Sequence, residues 1–449
     1  MPPGLSGPLV CASSAHQYLH YSVLLSSLAD TLCCCCCSRD FEANNSADDC
    51  IAENNYQLER TLLIFVNPRS GAGRSLKIFK KRVLPQLNKI GIKFDLLLTE
   101  YQNHARSYLS SLEDFSVYNA LLIVSGDGLV FEVFLQFIVN ALFERSDCPN
   151  LPIAIIPTGS GNGLLASVFY YRQLSLKNSG FLKQAIRNVC NSNAMAYPVN
   201  IMHVETPSKS YAAAISVGFG LFADIDIESE KWRRTLGSAR FTAGALVRFL
   251  KLRTYQCRLS FCQCVEDSGN TKSCQTTLKP FRIYPTSEWQ KSDCKQSRAA
   301  AEITCSNANL QRHLQKSQFQ DVPKITEQVP LNWTTIEDEF IFIYALAISH
   351  AGQDIPYIPE AQLFDRKLYL TYGLKKDLQN RLDLLKFLSD IKNAKHMKYS
   401  FFKTVPVTSF RIEIFEKPKA GGYVTIDGEL VDCDVLQATN TSSSIFIAG

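Results

Sequence analysis

The sequence predicts an α/β domain with a parallel sheet, followed by a mainly antiparallel β domain. Over residues 58–196, continuous apolar runs alternate with stretches whose apolar residues recur every three or four positions. That pattern is typical of buried strands alternating with amphipathic helices. Over residues 197–449, most apolar runs are strand-length and separated by polar stretches, which indicates antiparallel β structure.

The predicted elements of the first domain follow each other closely. In order, they are the strand TLLIFV, a helix face formed by Leu76, Phe79, Val83, Leu84 and Leu87, the strand KFDLLLT, a helix over His104 to Leu112, the strand ALLIV, a helix through Phe131, Val133 and Phe134, and the strand PIAIIP. Three strands run directly into glycine-rich turns, NPRSGAG, SGDG and TGSGNG. Because open α/β sheets bind ligands at the carboxyl ends of their strands, we expect a ligand site there.

The second domain is predicted from five strand-length segments, which are SYAAAISVGFG, FIFIYALAIS, KLYLTYG, SFRIEIF and YVTIDGELV. Residues 266–335 are polar and lack a steady period, so we expect a disordered insertion. Residues 1–57 show no sustained period either and are predicted to be a disordered tail.

Composition excludes some classes of function. The net charge is only +5 over 449 residues, with acids and bases interspersed, so nucleic-acid binding is not expected. The longest apolar run, Phe340 to Ser349, is too short to span a bilayer. The segment YSVLLSSLA faintly resembles a signal-peptide core, but no Lys or Arg precedes Arg39. Scattered cysteines suit a reducing compartment, and we expect a cytoplasmic protein.

Five consecutive cysteines, Cys33 to Cys37, stand in the tail. They are compatible with an inert disordered segment or with a multiply S-acylated membrane anchor, since several acyl chains give the stable anchoring that one chain does not. A metal cluster fits less well, because no histidine or second CxxC lies nearby.

Two of the glycine-rich turns have the features of phosphate-binding loops. NPRSGAGRS follows a strand and opens a helix, and Arg69 and Arg74 supply charge. TGSGNG adds the hydroxyls of Thr158 and Ser160, and Asn162 is a candidate cap for the next helix. Either loop alone is compatible with an ordinary turn. Together with SGDG they favour a nucleotide-phosphate site, although neither the Walker A motif nor G-x-G-x-x-G is present.

Three further motifs each allow a structural and a functional interpretation. Asp127 in SGDG is a turn cap, a metal ligand or a base. ADIDIESEKWRR has an acid at every second position over residues 224–230. The structural interpretation is a solvated strand edge followed by a charged helix start. The functional one is a carboxylate that receives a cationic head group, with arginines nearby to bind phosphates. IDGE, at residues 426–429, is a hairpin turn or a contact to a nucleotide and its magnesium.

The helical stretch Ser238 to Gln256 is both apolar and basic. Phe241, Leu246 and Phe249 share a broad apolar face, and basic residues accompany it. Such a helix packs on its own core, covers an apolar pocket or lies against a membrane.

These motifs together resemble one family. NPRSGAGRS, LTEYQNHA, SGDGLVFEV, PTGSGNG, GFGLFADIDIESEKWRRTLGSARFTAG and IDGELV occur in one order, and the chain resembles the sphingosine kinases from Leu62 to the C-terminus apart from the insertion. The acidic ADIDIESEKWRR segment is the specific part of the resemblance. The resemblance implies that ATP binds in a cleft between a nucleotide-binding domain and a β-sandwich-like lipid-binding domain. It also implies that phosphate is transferred to the primary hydroxyl of sphingosine or a related sphingoid base.

The resemblance also implies roles for single residues. Asp127 matches the catalytic base, Asp226 the carboxylate that binds the sphingoid amine, and Ser216 the head-group site. The helix carrying Phe241, Leu246 and Phe249 resembles the gate over the acyl-chain pocket and part of a membrane-facing patch. The positions that match nucleotide contacts are Asn67, Arg69, Ser70, Gly71, Thr99, Gly126, Gly128, Ser160, Gly161, Arg233, Arg240, Asp427, Gly428 and Glu429. Asp427 and Glu429 are also the candidate ligands of Mg²⁺.

The chain departs from the family pattern at Leu135 and Gln136, where an Asn-Gly pair is usual, and at the extra residue Thr235. Two rival functions stay open: a kinase for diacylglycerol or ceramide, and a membrane scaffold without turnover. Expected partners are a sphingoid base, a membrane surface contacted peripherally, at the plasma membrane or internal membranes, and a second copy of the chain in a homodimer.

Overall fold

One hydrogen-bonded sheet of fifteen strands runs through the described part of the chain. The computed structural model describes residues 60–101, 103–112, 115, 117–127, 151–159, 161–237, 239–264, 280–284, 322–416 and 420–449. The strands are β1 Thr61–Val66, β2 Lys93–Leu98, β3 Ala120–Ser125, β4 Ile153–Pro157, β5 Met195–Glu205, β6 Ser210–Ala213, β7 Ser216–Gly220, β8 Tyr255–Gln263, β9 Phe281–Arg282, β10 Thr334–Leu346, β11 His350–Gly352, β12 Ile355–Pro356, β13 Leu368–Leu374, β14 Lys403–Ile414, β15 Val424–Ile426, β16 Glu429–Val431 and β17 Val435–Ala448. The short hairpin of β11 and β12 stands outside the large sheet.

The first four strands are parallel and stand in the order β4-β3-β1-β2. Strands β1 and β3 are buried along almost their whole length, so their continuous apolar runs are those of a sheet covered on both faces. The chain goes from β1 outward to β2 and then returns past β1 to β3. The direction of winding therefore reverses between β1 and β3, and their carboxyl ends flank the crevice where such sheets bind ligands.

The helices connect and cover the strands. They are α1 Ser70–Gly73, α2 Ser75–Ile78, α3 Leu84–Lys89, α4 His104–Ser111, α5 Gly163–Tyr171, α6 Asn178–Cys190, α7 Leu221–Ser229, α8 Arg233–Leu236, α9 Ala239–Leu250 and α10 Arg381–Asp390. A π-helical turn, Phe79–Val83, joins α2 to α3. The 3₁₀ turns are Glu230–Trp232, Lys375–Asp377, Ile391–Asn393 and His396–Lys398. Within the described residues, no helix is both long enough and apolar enough to cross a membrane.

The rest of the sheet is antiparallel and begins at β5. Its strands follow the order β16-β15-β7-β10-β13-β14-β17, and the last strand of the chain, β17, joins the two halves. Strand β17 pairs with β14 and β5 in antiparallel register and with β4 in parallel register at Ile447 and Ile153. The predicted fold class, a parallel α/β half followed by an antiparallel β half, is confirmed.

Several predicted segments lie wholly or partly outside the described residues. These are the tail with Cys33 to Cys37, the stretch that contains Leu135 and Gln136, and much of the predicted insertion 266–335. Two parts of that range are described. Strand β9 pairs with β5, and residues 322–333 lead into β10, with Lys324 and Glu327 accepting hydrogen bonds from Arg411 through their carbonyl oxygens. Strand β10 itself begins at Thr334, inside the predicted insertion.

Candidate active site

The glycine-rich turns meet at the carboxyl edge of the parallel strands. Asn67 directly follows β1 and holds its own loop, because its side-chain oxygen accepts a hydrogen bond from the Arg69 amide at 2.9 Å. Ser75 ties this loop to the one after β4, since its hydroxyl lies 2.8 Å from the hydroxyl of Thr158. Thr99, at the end of β2, joins the same edge through a hydrogen bond from its amide to the carbonyl oxygen of Val66.

Glycine is required where these loops touch. A Cβ on Gly126 would lie 2.7 Å from the Cα of Gly159, closer than real Cβ atoms approach other heavy atoms. Gly71 has φ +59°, and a Cβ there would lie 2.2 Å from the carbonyl oxygen of Thr158. The loops after β1, β3 and β4 therefore pack backbone against backbone, which leaves their amides close to any phosphate bound at this edge.

Asp127 lies in the middle of this edge and holds the start of helix α5. Its Oδ2 accepts a hydrogen bond from the Gly163 amide at 2.7 Å, while Oδ1 is buried and has no partner among the described residues. The predicted cap, Asn162, stands at the N-cap position, but its side chain makes no capping hydrogen bond. Its amide nitrogen donates instead to the Gly159 carbonyl oxygen at 3.0 Å. Burial raises the pKa of Asp127 to about 6, and hydrogen bonds from the α5 backbone oppose that rise.

Asp427 is a second buried carboxylate near Asp127. It sits in the turn between β15 and β16 at φ +50° and accepts hydrogen bonds of 2.8–2.9 Å from the amides of Ala214, Ile215 and Ser216. Burial raises the pKa of Asp427 to about 7, the three amides oppose the rise, and the negative charge of Asp127 adds to it. The charge of Asp127 therefore acts on Asp427, which indicates that the two carboxylates lie near each other.

Tyr344 connects this site to the acidic segment and was missed in the sequence. Its hydroxyl lies 3.1 Å from the hydroxyl of Ser216. Burial raises the pKa of Tyr344 well above its usual range, and the charges of Asp226, Asp427 and Asp127 raise it further. The available signal was a tyrosine inside the apolar strand FIFIYALAIS, because a buried tyrosine hydroxyl needs a polar partner.

The acidic segment is a helix, α7, and the strand-edge interpretation is wrong. Residues two apart on a helix point to nearly opposite sides, whereas residues four apart share a side. Asp226 and Glu230 therefore share one side of the segment, and both contact Arg240. Glu228 lies on the other side, where it contacts Arg248 and Arg253.

The crossing of α7 and α9 explains which arginines reach which side. The buried residues of α9 are Arg240, Gly244 and Arg248, each separated from the next by one turn. A Cβ on Gly244 would lie 3.2 Å from the Ile225 side chain and 3.3 Å from that of Ser229, so the helices cross closely at this glycine. Arg240 and Arg248, on either side of the crossing, therefore reach opposite sides of α7.

Asp226 faces the cluster of carboxylates and is held by Arg240. Arg240 Nη2 donates to Asp226 Oδ1 at 2.8 Å, and Nη1 donates to the Asp226 carbonyl and to the Ser229 hydroxyl. Arg240 is 2% exposed, whereas the Asp226 side chain is 29% exposed. Oδ2 of Asp226 has no partner among the described residues and lies 3.2 Å from the place of a Cβ on Gly428. Burial raises the pKa of Asp226, and Arg240 opposes that rise.

Arg233 and Glu429 form the more exposed part of the site. Arg233 pairs with Glu230 at 2.8 Å, and its side chain is 56% exposed. Burial raises the pKa of Glu429, the charges of Asp226 and Glu230 add to the rise, and Arg233 opposes it. The nucleotide contacts predicted for Arg233 and Arg240 stay predictions, and Arg240 already has its guanidinium on Asp226 and Glu230.

The predicted metal pair, Asp427 and Glu429, does not form a metal cage by itself. Within the described residues, no group of three or more His, Cys, Asp or Glu side chains converges on one point. Mg²⁺ is usually held by only one or two carboxylates together with waters and substrate phosphates. The two side chains fit such an ion as part of a nucleotide complex.

The predicted acyl-chain helix, α9, presents its apolar side chains unevenly. The ring of Phe241 packs over Arg240, whose Cζ lies 4.2 Å from the ring centre, and also contacts the aromatic core around Phe342 and Phe387. Leu246 is 51% exposed and Leu250 is 65% exposed, while Phe249 is half-buried. The side of α9 that faces the protein thus carries arginines and glycine, and part of its apolar side faces outward.

Most predicted site residues lie in two adjoining groups. At the parallel edge are Asn67, Arg69, Ser70, Gly71, Thr99, Gly126, Asp127 and Gly161. Around α7 and the 426–429 turn are Ser216, Asp226, Arg233, Arg240, Asp427, Gly428 and Glu429. The electrostatic coupling of Asp127 with Asp427, and of both with Tyr344, joins the groups. Gly128 and Ser160 lie outside the described residues.

The fold of the chain and the sequence of its parallel part each have a match among known proteins. Residues 61–199 match the model of the diacylglycerol kinase catalytic domain. A solved structure titled as a putative diacylglycerol kinase from Bacillus anthracis str. Sterne superimposes with a TM-score of 0.52 at 16% identity, covering 88% of this chain and 98% of that one. Together they define the class of protein by its fold: residues 61–199 carry a diacylglycerol kinase catalytic domain.

Two relatives place the chain more narrowly. It is 34% identical to sphingosine kinase 1 of Caenorhabditis elegans, over 87% of this chain and 82% of that protein. It is 32% identical to sphingosine kinase 1 of Homo sapiens, over 84% of this chain and 87% of that protein. The chain belongs to the sphingosine kinase family, and membership implies ATP as the phosphoryl donor.

Proposed function

We propose that this kinase transfers the terminal phosphoryl group of ATP to the primary hydroxyl of sphingosine or a related sphingoid base, giving sphingosine 1-phosphate and ADP. The observation that carries the proposal is Asp226. It is a partly exposed carboxylate whose Oδ2 has no partner among the described residues, and its charge acts on the same tyrosine as that of the buried Asp127. An ammonium group bound at Asp226 Oδ2 leaves the neighbouring hydroxyl of a sphingoid base within the same group of side chains.

Asp127 has the properties of the base in this reaction. Its Oδ1 has no hydrogen-bond partner among the described residues and is therefore free to accept a proton, while Oδ2 is fixed on helix α5. A pKa of about 6 leaves the carboxylate ionised at neutral pH but more basic than an ordinary aspartate. Such a group takes the hydroxyl proton as the bond to phosphorus forms.

The phosphates of ATP are proposed to lie against the glycine-rich edge. Backbone amides of the three loops and the start of α5 offer partial positive charge, and the exposed Arg69 and Arg233 offer full charges. Asp427 and Glu429 would hold Mg²⁺ on the nucleotide, where the ion neutralises charge that develops during transfer. Phosphoryl transfer depends mainly on such positioning and charge stabilisation.

The membrane partner is a separate proposal. The exposed Leu246 and Leu250 on α9 and the run Cys33 to Cys37 support peripheral association of a cytoplasmic enzyme with the plasma membrane or internal membranes, through S-acylation of the cysteines. Replacing all five cysteines by serine is then expected to move the protein to the soluble fraction of cells. An unchanged fractionation, or a wild type that takes up no acyl label, contradicts this proposal.

A homodimer is also proposed, and a measurement of the protein's mass in solution tests it.

The substrate is tested with purified protein and labelled ATP. Sphingosine, ceramide and diacylglycerol are presented in matched micelles, and the labelled products are separated. Sphingosine is expected to be the preferred acceptor, because only it carries a cation for Asp226. Preference for ceramide or diacylglycerol favours the rival lipid kinase, and absence of transfer to any lipid favours the scaffold.

Replacement of Asp226 by asparagine sharpens the substrate assignment. A charge-assisted hydrogen bond is worth about 1.5–3 kcal/mol, so the KM for sphingosine is expected to rise by about ten- to a hundredfold in Asp226→Asn. The KM for ATP should change little. Asp383→Asn, on the partly exposed side of α10, is the matched control and should behave as wild type. An unchanged KM for sphingosine in Asp226→Asn places the amine elsewhere.

A further inference from the structure

A cavity of about 420 Å³ lies between α7 and α9, on the side of α7 that faces away from Asp226. Arg248, Glu228 and Asp224 line its polar part, and Val247 and Trp232 line its apolar part. Lys231 lines it as well, with its ammonium 4.8 Å from the ring centre of Trp232. None of the residues assigned to the nucleotide or the sphingoid base lines this cavity, which is called the α7–α9 cavity below.

Arg248 is the unusual member of this lining. Its side chain is 6% exposed, and its Nη1 has no hydrogen-bond partner among the described residues. Its Nε lies 3.2 Å from Glu228 Oε2 without hydrogen-bond geometry. Buried guanidinium groups normally have their N–H groups satisfied, because an unpaired buried donor costs about 1–3 kcal/mol. A missing acceptor is therefore expected beside Arg248.

Glu228 does not fill this role, because Arg253 shares it. Arg253 Nη1 donates to Glu228 Oε1 at 2.7 Å and lies 3.7 Å from Asp224. Asp224 in turn accepts a hydrogen bond from the hydroxyl of Tyr255. The described side chains in and beside the cavity are thus three cations, Arg248, Arg253 and Lys231, and two carboxylates. The charged side chains that line the cavity balance, and Arg253 beside it brings one positive charge in surplus.

We propose that the α7–α9 cavity binds a phosphate-class oxyanion through Arg248 and Lys231. A guanidinium group presents paired N–H donors that match phosphate oxygens, and the surplus charge matches a monoanion. Trp232 and Val247 leave room for an apolar substituent beside the anion. The same chemistry is found in a free phosphate and in the head group of an acidic lipid. The site goes beyond the proposed function, since it is separate from both the phosphate-binding edge and Asp226.

The site is tested by calorimetric titration of the full chain with two probes, inorganic phosphate and water-soluble dihexanoyl phosphatidic acid. Saturating ADP and Mg²⁺ are present so that the nucleotide site is occupied. No sphingosine and no turnover are involved, so the outcome is independent of the proposed function. Binding of both probes identifies a general phosphate site, and binding of the lipid analogue alone identifies a lipid head-group site. Binding of neither probe overturns the proposal.

Three variants locate the binding. Arg248→Met is expected to weaken it at least about tenfold, the effect of losing one charge-assisted contact. Lys231→Glu changes an exposed residue, leaves the fold intact and is also expected to weaken binding, which keeps the proposal testable if Arg248→Met folds poorly. Arg258→Met removes a more exposed arginine from strand β8, outside the cavity lining, and should bind as wild type. Wild-type affinity in Lys231→Glu and in folded Arg248→Met excludes this cavity as the binding site.

Discussion

The glycine-rich edge and the α7–α9 crossing both keep carboxylates out of water, but they stabilise them differently. Asp127 at the edge and Asp427 beside it accept their hydrogen bonds within the described residues from backbone amides. At the crossing, Asp226 and Glu228 are held by arginine side chains. Amides fixed by neighbouring turns do not neutralise a charge, so burial leaves the pKa of Asp127 and Asp427 near 6 and 7. Asp127 and Asp427 thus have the properties expected of reactive carboxylates, and Asp226 those of a paired, binding carboxylate.

The largest expected effect tests the reactive side of this comparison. In Asp127→Asn, the side-chain oxygen still accepts the Gly163 amide, so the fold and both KM values should be retained. The proton acceptor is lost, and kcat for sphingosine is expected to fall by about 10²–10⁴-fold. Asp383→Asn again serves as the matched control. Wild-type turnover by folded Asp127→Asn would remove Asp127 from the role of base.

The next effect tests whether backbone packing builds the edge. Gly71 and Gly91 both have positive φ, but a Cβ on Gly71 would lie 2.2 Å from the Thr158 carbonyl oxygen and a Cβ on Gly91 meets nothing within 4 Å. Each alanine substitution carries the backbone cost of about 1–2 kcal/mol. In Gly71→Ala, overpacking should lower the free energy of unfolding by about 1–3 kcal/mol more, and the KM for ATP should rise. Equal unfolding free energies and equal KM values for the two variants would contradict this view of the edge.

A smaller effect is expected at the crossing. Gly244→Val would place side-chain atoms against Ile225 and Ser229, where even a Cβ would lie at 3.2–3.3 Å. The substitution should lower the free energy of unfolding by about 1–3 kcal/mol. Thr242→Val, on the exposed side of the same helix, is the control and should change stability by about 0.5 kcal/mol or less. If the two variants unfold at the same denaturant concentration, Gly244 does not set the helix separation.

The two regions also differ in how far the sequence predicted them. The edge was predictable because each glycine-rich turn directly follows an apolar strand, and parallel strands bring their carboxyl ends together. The contact between Asp127 and the start of α5 was not predictable, because the Gly163 amide lies 36 residues from Asp127 in the sequence. The sequence favoured Asn162 as the cap of that helix, since it is the residue directly before the helix.

The crossing was misread for a different reason. Acids at every second position mimic the alternation of a strand, and nothing local shows that α7 presents two acidic sides. The two acidic sides of α7 are explained by α9, whose buried residues Arg240, Gly244 and Arg248 are spaced one turn apart. The apolar residues of α9 dominated its sequence pattern, which left open whether they face the core, a pocket or a membrane, and Leu246 and Leu250 are exposed. Pairing of helices is a tertiary property that one segment does not encode alone.

The smallest expected effect compares the two carboxylates directly, through stability and pH. The pKa of Asp127 is raised in the folded state, so its folded form binds more protons than the unfolded chain between about pH 4 and pH 6. Stability is therefore lost as pH rises through this window, and the cost persists above it. Asp127→Asn removes that cost and should unfold at a higher temperature than wild type at pH 8, with a smaller advantage at pH 5. The pKa of Asp226 is raised as well, but Asp226→Asn also weakens the partner of the buried Arg240, so its gain at pH 8 should be smaller than that of Asp127→Asn. Thermal unfolding of the three proteins at both pH values measures this, and destabilisation of both variants at pH 8 would show that Asp127 is held as firmly as Asp226.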